Sequence, residues 1–286
     1  MSKLKLGWIG LGNMGNPIVK NLLKADFSVS VFNRTKEKEQ AAIEAGAISA
    51  ESIAQLINNC DVIFTMVSDD AAIKNIFENE DGILANAQSG KLIIDMSTVA
   101  PETSKYLSAA CKEKEMDFLE APVSGSVKPA QDGTLIILVG GSATAYEKAK
   151  PMFDVIGKLS LHLGESGVGS SAKLAINYLL ALVLQGMAET VLFAEANGVK
   201  KEDMLTIINE GAIGNAIMKL KTPSILNNNF PPAFALKLMA KDLRLAKAAG
   251  MDLPLSSPLF NSYAEALNNG LGEEDVMAIF KYLDKE

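Results

Sequence analysis

Apolar and polar positions follow two regimes along the chain, and the change falls near Gly164. In the first regime short apolar runs recur, at Leu4 to Ile9, Ser28 to Phe32, Asp61 to Val67, Lys91 to Met96, Asp117 to Glu120, Thr134 to Val139 and Lys158 to Leu163. Each has the length of a strand. Between them lie helical patterns. Ile18, Val19, Leu22 and Leu23 share a face in Asn16 to Lys24, and Ala41, Ala42 and Ala45 do so in Glu37 to Gly46. Ser52 to Asn58 is a short helix, and Pro101 to Lys114 opens with the proline that suits a first turn. Ser68-Asp69-Asp70 has the character of a helix cap. Strands alternating with helices predict a mostly parallel sheet covered on both faces.

Beyond Gly164, Gly167 and Gly169 the periodicity is helical, without strands. One long apolar helix is predicted from about Ser170 to Asn197, stopped by Gly198. Shorter helices follow at Lys201 to Glu210, around Ala216 to Leu220, at Ala235 to Ala249, Ser257 to Asn268 and Glu273 to Tyr282. Pro223, Pro231-Pro232 and Pro254 punctuate them. The expected architecture is an α/β chain: residues 1–163 form a Rossmann-type domain, residues 164–286 an all-helical domain, and the long helix joins them.

The motif Gly10-Leu11-Gly12-Asn13-Met14-Gly15 lies between the first strand and the first helix. That is the context a dinucleotide fingerprint requires. One glycine makes the turn, the second admits a pyrophosphate, and the third lets helix pack on strand. The helix start then offers N–H groups to the phosphates. At the end of the second strand an NAD enzyme places Asp or Glu for the ribose hydroxyl. Here the chain has Asn33-Arg34-Thr35, with Lys36 and Lys38 close behind. A guanidinium suits a 2′-phosphate, so the cofactor read is NADP, with Arg34 its main contact. The competing reading is a solvated, basic helix start. Ligands of such sheets bind beyond the carboxyl ends of the strands. Residues 10–15, 33–35, 66–68 (Met66, Val67, Ser68), 97–98 (Thr98 included) and 122–126 are therefore the candidates.

Composition narrows the classes further. The 286 residues carry a net charge of −7, which opposes nucleic-acid binding. Cys60 and Cys111 are too few for a disulfide framework and lack metal spacing, so no metal is expected. No cleavable apolar segment precedes the glycine motif, and Asn177, Gln185, Glu189 and Glu195 interrupt the longest apolar stretch. A buried helix, not a membrane span, and a cytoplasmic protein are the expectations.

Hydride transfer to a carbonyl needs a proton donor and a grip on the substrate. His162, the chain's single histidine, alternates with leucines and reads as structural. Lys173 begins the long helix, where the dipole and desolvation both disfavour its charged form. Asn177 is one turn on. On spacing alone, Lys173 is either a proton donor or a lysine snorkelling at a helix end. Ser124, Gly125 and Ser126 are either a carboxylate nest or an ordinary turn. Lys241-Asp242 reads as a surface ion pair.

Five stretches, taken in order, resemble one family. They are the fingerprint at 10–15 together with Asp95-Met96-Ser97-Thr98, then Glu120-Ala121-Pro122-Val123-Ser124-Gly125-Ser126, then Gly167 to Asn177, then Lys241-Asp242-Leu243. The family is the β-hydroxyacid dehydrogenases, which include 3-hydroxyisobutyrate dehydrogenase and the glyoxylate/succinic semialdehyde reductases. The resemblance implies that Lys173 is the catalytic lysine, with Asn177 beside the substrate. It implies that Ser124, Gly125 and Ser126 hold the substrate carboxylate and that Thr98 lies by the nicotinamide. Lys241 would contact the cofactor with Asp242 supporting it, and Phe234 would line the substrate pocket. Many relatives carry Ser-Gly-Gly where this chain has Ser124-Gly125-Ser126. The Asn33-Arg34-Thr35 stretch and Phe234 are most similar to the NADPH-dependent glyoxylate/succinic semialdehyde reductase branch.

The expected function is therefore hydride transfer between NADP(H) and a small aldehyde-acid/hydroxyacid pair, with Lys173 as general acid. Alternatives are an NAD-dependent 3-hydroxyisobutyrate dehydrogenase, an imine reductase (a group that typically lacks the lysine) and a non-catalytic nucleotide-binding module. A homodimer or homotetramer built through the helical domain is the expected assembly.

Overall fold

The computed structural model describes residues 4–284; residues 1–3 and 285–286, the outermost positions of the two expected domains, lie outside the described residues. The chain divides into two compact units between Lys173 and Leu174. Among the described residues, the first unit holds one sheet of nine strands. They are β1 (Lys5–Ile9), β2 (Ser28–Phe32), β3 (Ile48–Ser49), β4 (Val62–Thr65), β5 (Leu92–Asp95), β6 (Asp117–Glu120), β7 (Val123–Ser124), β8 (Leu135–Gly141) and β9 (Gly157–Gly164). The order is β3-β2-β1-β4-β5-β6-β8-β7, with β9 on β8. Pairing is parallel from β3 through β6, the doubly wound arrangement. β8 runs antiparallel to β6 and β7, and β9 parallel to β8.

Side-chain alternation divides the sheet's apolar residues between two cores. Leu6, Trp8, Val62, Phe64, Leu92, Ile94 and Leu119 face one; Ile9, Ile63, Ile93 and Phe118 face the other. Because both faces are covered, these strands are continuous apolar runs, which is why they were legible. The helices of this unit are α1 (Gly15–Lys24), α2 (Gln40–Ile43), α3 (Ile53–Asn59), α4 (Asp70–Glu78), α5 (Ile83–Asn86), α6 (Pro101–Glu113), α7 (Val127–Asp132) and α8 (Ala143–Ile156). Helix α9 (Val168–Ala196) starts in the first unit and continues into the second. The second unit adds α10 (Lys201–Glu210), α11 (Ala216–Leu226), α12 (Leu236–Ala248), α13 (Ser256–Asn268) and α14 (Ile279–Leu283). Its core includes Leu184, Val191, Met239, Leu259, Tyr263 and Ile279.

Four expectations are corrected. Residues 121–127 are not a simple turn, because Val123 and Ser124 pair with Ile137 and Ile136 of β8. Pro223 lies inside α11, which runs on to Leu226 because burial of Ile225 outweighs the bond a proline forgoes. The helix expected at Glu273 to Tyr282 breaks into 3-10 turns before α14, where Asp275 turns its carboxylate inward and pairs with Ala235 as an isolated bridge. Helix α9 is also less buried than expected: Leu184, Met187 and Val191 are covered, but Leu179 is 52% and Phe193 72% exposed.

The three central strands β4, β5 and β6 each end in a polar residue. Thr65, Asp95 and Glu120 are in register and buried. Asp95 Oδ1 accepts from Thr65 Oγ1 at 2.8 Å, Ser97 Oγ at 2.7 Å and Ser97 N at 3.1 Å. Burial pushes the Asp95 carboxyl up from 3.8 to about 6; the Ser97 and Thr65 hydrogen bonds oppose this, and Glu120 adds to it. Below about pH 4 native and unfolded chains both hold this proton. From there to about pH 6 the unfolded chain loses it while the native one keeps it, so this group makes stability fall as pH rises. The full effect is on the order of 3 kcal/mol. Asp95→Asn should flatten that component, and a melting-temperature series from pH 4 to 7 checks it. Parallel curves for variant and parent would contradict the assignment.

Candidate active site

The glycine turn is braced by its neighbours. The indole of Trp8, buried and stacked on Phe64 at 5.2 Å, donates to the Gly10 carbonyl at 2.8 Å. Gly10 has φ +104°, and a Cβ there would lie 2.2 Å from the Met66 carbonyl oxygen. A Cβ on Gly15 would lie 2.3 Å from the Gly10 carbonyl oxygen. Gly12 differs: a Cβ there would meet nothing within 4 Å. Two of the glycines are thus demanded by the protein's own packing, and the third faces open space. That space adjoins an open groove of about 460 Å³ whose lining includes Leu11, Gly12, Asn13, Asn16 and Lys38. Helix α1, preceded by Met14, has no side-chain cap and no acidic residue in its first turn. A bare helix start beside an uncrowded glycine fits the pyrophosphate of a dinucleotide.

Asn33 ties this turn to the end of β2. Its Oδ1 accepts from Leu11 N at 2.9 Å, and its Nδ2 donates to the Thr35 carbonyl at 2.7 Å. The buried Glu39 takes Asn33 N at 2.7 Å and Lys36 Nζ at 2.9 Å. Lys36, expected in the basic cluster, bonds the Ala50 carbonyl and lies over the Phe32 ring, with its side chain still 48% exposed. Arg34 and Thr35 remain exposed at the strand end. Met66 and Val67 follow β4: Val67 N donates to Ser97 Oγ at 2.9 Å. Ser68 is exposed and bonds Asp69, and Thr98 is half-buried.

Glu120 fixes the next part of the site. Its carboxylate, 1% exposed, takes hydrogen bonds from Gly167 N, Gly169 N, Ser170 N and Ser170 Oγ at the start of α9. Because α9 begins at Val168, Lys173 lies in its second turn, farther from the helix end than expected. Lys173 is half-buried. Ser124 is half-buried in β7, Gly125 has φ +136°, and Ser126 precedes α7 without a side-chain cap bond. His162 stacks on Tyr146, with Nε2 2.7 Å from the Gly141 carbonyl oxygen, which is a structural role.

The second unit gathers other candidates. Asn177, 4% exposed, donates from Nδ2 to Asp242 Oδ2 at 2.6 Å. Lys241 Nζ lies 3.1 Å from Asp242 Oδ1. Asp242 is 3% exposed, so the surface ion pair expected here is in fact an interior one. Half-buried Phe234 precedes α12, and its segment is held from an unforeseen quarter. Asp275 Oδ2 accepts from Ala233 N and Phe234 N, and its Oδ1 takes Lys221 Nζ at 2.6 Å in a buried ion pair. Glu120, Lys221 and Asp275 had no role in the sequence reading. The signals for Glu120 were an acid ending an apolar strand and its place at the head of the family-resembling stretch Glu120 to Ser126. Among the described residues, no three His, Cys, Asp or Glu side chains group to hold a metal.

A doubly wound sheet with a bare helix start behind an uncrowded glycine defines a dinucleotide-binding protein. Comparison with known proteins narrows the class. Residues 5–164 match the family described as the NAD binding domain of 6-phosphogluconate dehydrogenase. Residues 167–283 match that described as the NAD-binding domain of NADP-dependent 3-hydroxyisobutyrate dehydrogenase. Glyoxylate/succinic semialdehyde reductase 1 of Arabidopsis thaliana is 38% identical, over 97% of this chain and 98% of the relative. The NAD-dependent L-serine dehydrogenase of Pseudomonas aeruginosa is 33% identical over 98% of each chain. A solved structure of Psf3 in complex with NADP+ and 2-OPP has TM-score 0.90 at 28% identity, covering 98% of this chain and 100% of that one. The chain belongs to the 3-hydroxyisobutyrate dehydrogenase-like family of β-hydroxyacid dehydrogenases, oxidoreductases that use a nicotinamide dinucleotide.

The three glycines should respond differently to alanine. Gly12→Ala should leave stability within about 0.5 kcal/mol, as at an uncrowded surface position, yet weaken dinucleotide binding at least tenfold by calorimetric titration. Gly15→Ala should instead lower the melting temperature. Undiminished binding by the Gly12 variant would remove the pyrophosphate from this loop.

Proposed function

We propose that the chain is an NADPH-dependent reductase of small aldehyde-acids, acting in reverse as a hydroxyacid dehydrogenase. The observation that carries this reading is Lys173, set in the second turn of a helix whose start is bonded to the carboxyl end of a central sheet strand. When bound, the reduced nicotinamide supplies hydride for the carbonyl carbon. Lys173 gives a proton to the carbonyl oxygen as negative charge develops there. Ser124 and Ser126, with the Gly125 backbone between them, hold the substrate carboxylate. Asn177, one turn beyond Lys173, keeps its amide group on Asp242 and so holds a fixed orientation. The name of the Arabidopsis relative supports glyoxylate or succinic semialdehyde as the substrate class.

Cofactor choice rests on Arg34. Asn33 and Lys36 are occupied within the protein, which leaves Arg34 and Thr35 exposed at the end of β2 for a 2′-phosphate. The Psf3 structure in complex with NADP+ supports this choice. A second reading, an NAD-dependent hydroxyacid dehydrogenase, is favoured by the name of the Pseudomonas relative. Exposed Leu179 and Phe193 support self-association of the helical unit.

Oxidation of NADPH and NADH, side by side, with glyoxylate, succinic semialdehyde, methylmalonate semialdehyde and a cyclic imine tests the reading. Fast NADPH oxidation with an aldehyde-acid is expected. Lys173→Ala should lower kcat by about 10³-fold or more, within the range of general-acid contributions, with NADPH affinity within a few-fold of the parent. Turnover close to the parent's would end the proton-donor role. Arg34→Asp should raise the KM for NADPH by roughly 10²-fold, as expected when a charge-assisted pair becomes a repulsion, and leave that for NADH within a few-fold. Equal effects on both cofactors would favour the second reading.

A further inference from the structure

We propose that Glu120 is the positioning residue for the proton donor, fixing the separation between Lys173 and the loop that holds the substrate carboxylate. The proposal rests on the reading of Lys173 given above.

The residue before helix α9, Gly167, has no side chain; Val168 N donates to the Glu165 carbonyl at 3.2 Å, and the N–H groups of Gly167, Gly169 and Ser170 are satisfied from a strand 47 to 50 residues away. Glu120 Oε1 accepts from Gly167 N and Gly169 N, each at 2.7 Å, and from Ser170 N at 3.3 Å. Its Oε2 accepts from Ser170 Oγ at 2.9 Å. Ser170 Oγ is in turn 2.9 Å from Ser104 Oγ of α6. A carboxylate suits this position because it alone among side chains offers lone pairs for so many donors, and its charge complements the helix dipole.

The carboxylate has little room to move. A Cβ on Gly140 would lie 2.3 Å from Glu120 Oε1, and one on Gly169 would lie 3.1 Å from it. The two glycines leave a slot the width of the carboxylate. In the other direction the same strand leads straight to the substrate loop. Ala121 N donates to the Asp95 carbonyl at 2.6 Å, and Leu138 N donates to the Pro122 carbonyl at 2.9 Å. Ser124 is then paired with Ile136. Lys173 lies three residues after Ser170, and Ser124 four residues after Glu120. Both reacting partners are thereby referred to one side chain. Displacement of a reacting group by about 1 Å costs on the order of 10²-fold in rate.

Glu120→Gln keeps the shape of the side chain but loses its charge and one acceptor. It should lower kcat about 10- to 100-fold, the range expected of such a displacement, with the KM for NADPH within a few-fold of the parent. The deuterium isotope effect on kcat with 4-deuterated NADPH should rise toward its intrinsic value. Amide hydrogen exchange at residues 167–170 should accelerate even in the protein without cofactor. Ser170→Ala should do the same to a lesser degree, and the double variant should be no slower than Glu120→Gln alone. A merely structural role would lower the yield of folded protein and leave turnover per folded site and the isotope effect unchanged. That result, with Lys173→Ala inactive in parallel, overturns the positioning role and leaves Lys173 standing. An active Lys173→Ala protein overturns both. If Glu120→Gln does not fold, Ser170→Ala decides: unchanged turnover and isotope effect count against the proposal.

Discussion

A carboxylate taken almost wholly out of water must find donors, and Glu120 finds four at the start of one helix. The same bonds settle a second problem. A 29-residue helix begins with N–H groups that need partners: Val168 N finds the Glu165 carbonyl, and Glu120 takes those of Gly169 and Ser170. Each group therefore satisfies the other. The sheet and the start of α9 are joined by this reciprocal need. The lysine in the second turn of the helix follows three residues after Ser170.

The polar ends of β4, β5 and β6 extend the same logic. Thr65, Asp95 and Glu120 stand side by side where the apolar runs stop. Asp95 spends its bonds on Thr65 and Ser97, and Ser97 Oγ receives Val67 N, which leads the chain past the Gly10 turn. The carboxyl edge of the sheet is thus a row of buried polar groups tied to the loops that leave it. In the helical unit the Lys221–Asp275 pair plays a similar part, fixing the segment of Phe234 from within. A buried pair of this kind adds little to net stability but strongly disfavours arrangements that break it.

Most of the α/β framework was legible because strands buried on both faces are unbroken apolar runs. β3 and β7, two residues each, carry no such run. The glycine turn was legible because its spacing and context are local. The role of Glu120 was not, because its partners lie 47 to 50 residues away and are mostly backbone groups, which no side-chain pattern announces. Asp242 was misjudged for a related reason. Adjacent charges in a helix look solvated, and only Asn177, 65 residues earlier, shows that they turn inward. Lys36 looked like part of a phosphate site until the buried Glu39 claimed it.

The single tryptophan of the chain is placed where its surroundings report on the cofactor loop. Trp8 is fully buried, stacked on Phe64, and bonded through its indole to the carbonyl of the first motif glycine. Its emission is therefore that of an indole in a dry, rigid pocket with one hydrogen bond, and no second indole adds background. Any event that shifts the Gly10 carbonyl alters that bond. The protein thus carries an intrinsic optical probe of loop occupancy, readable without labels and without turnover.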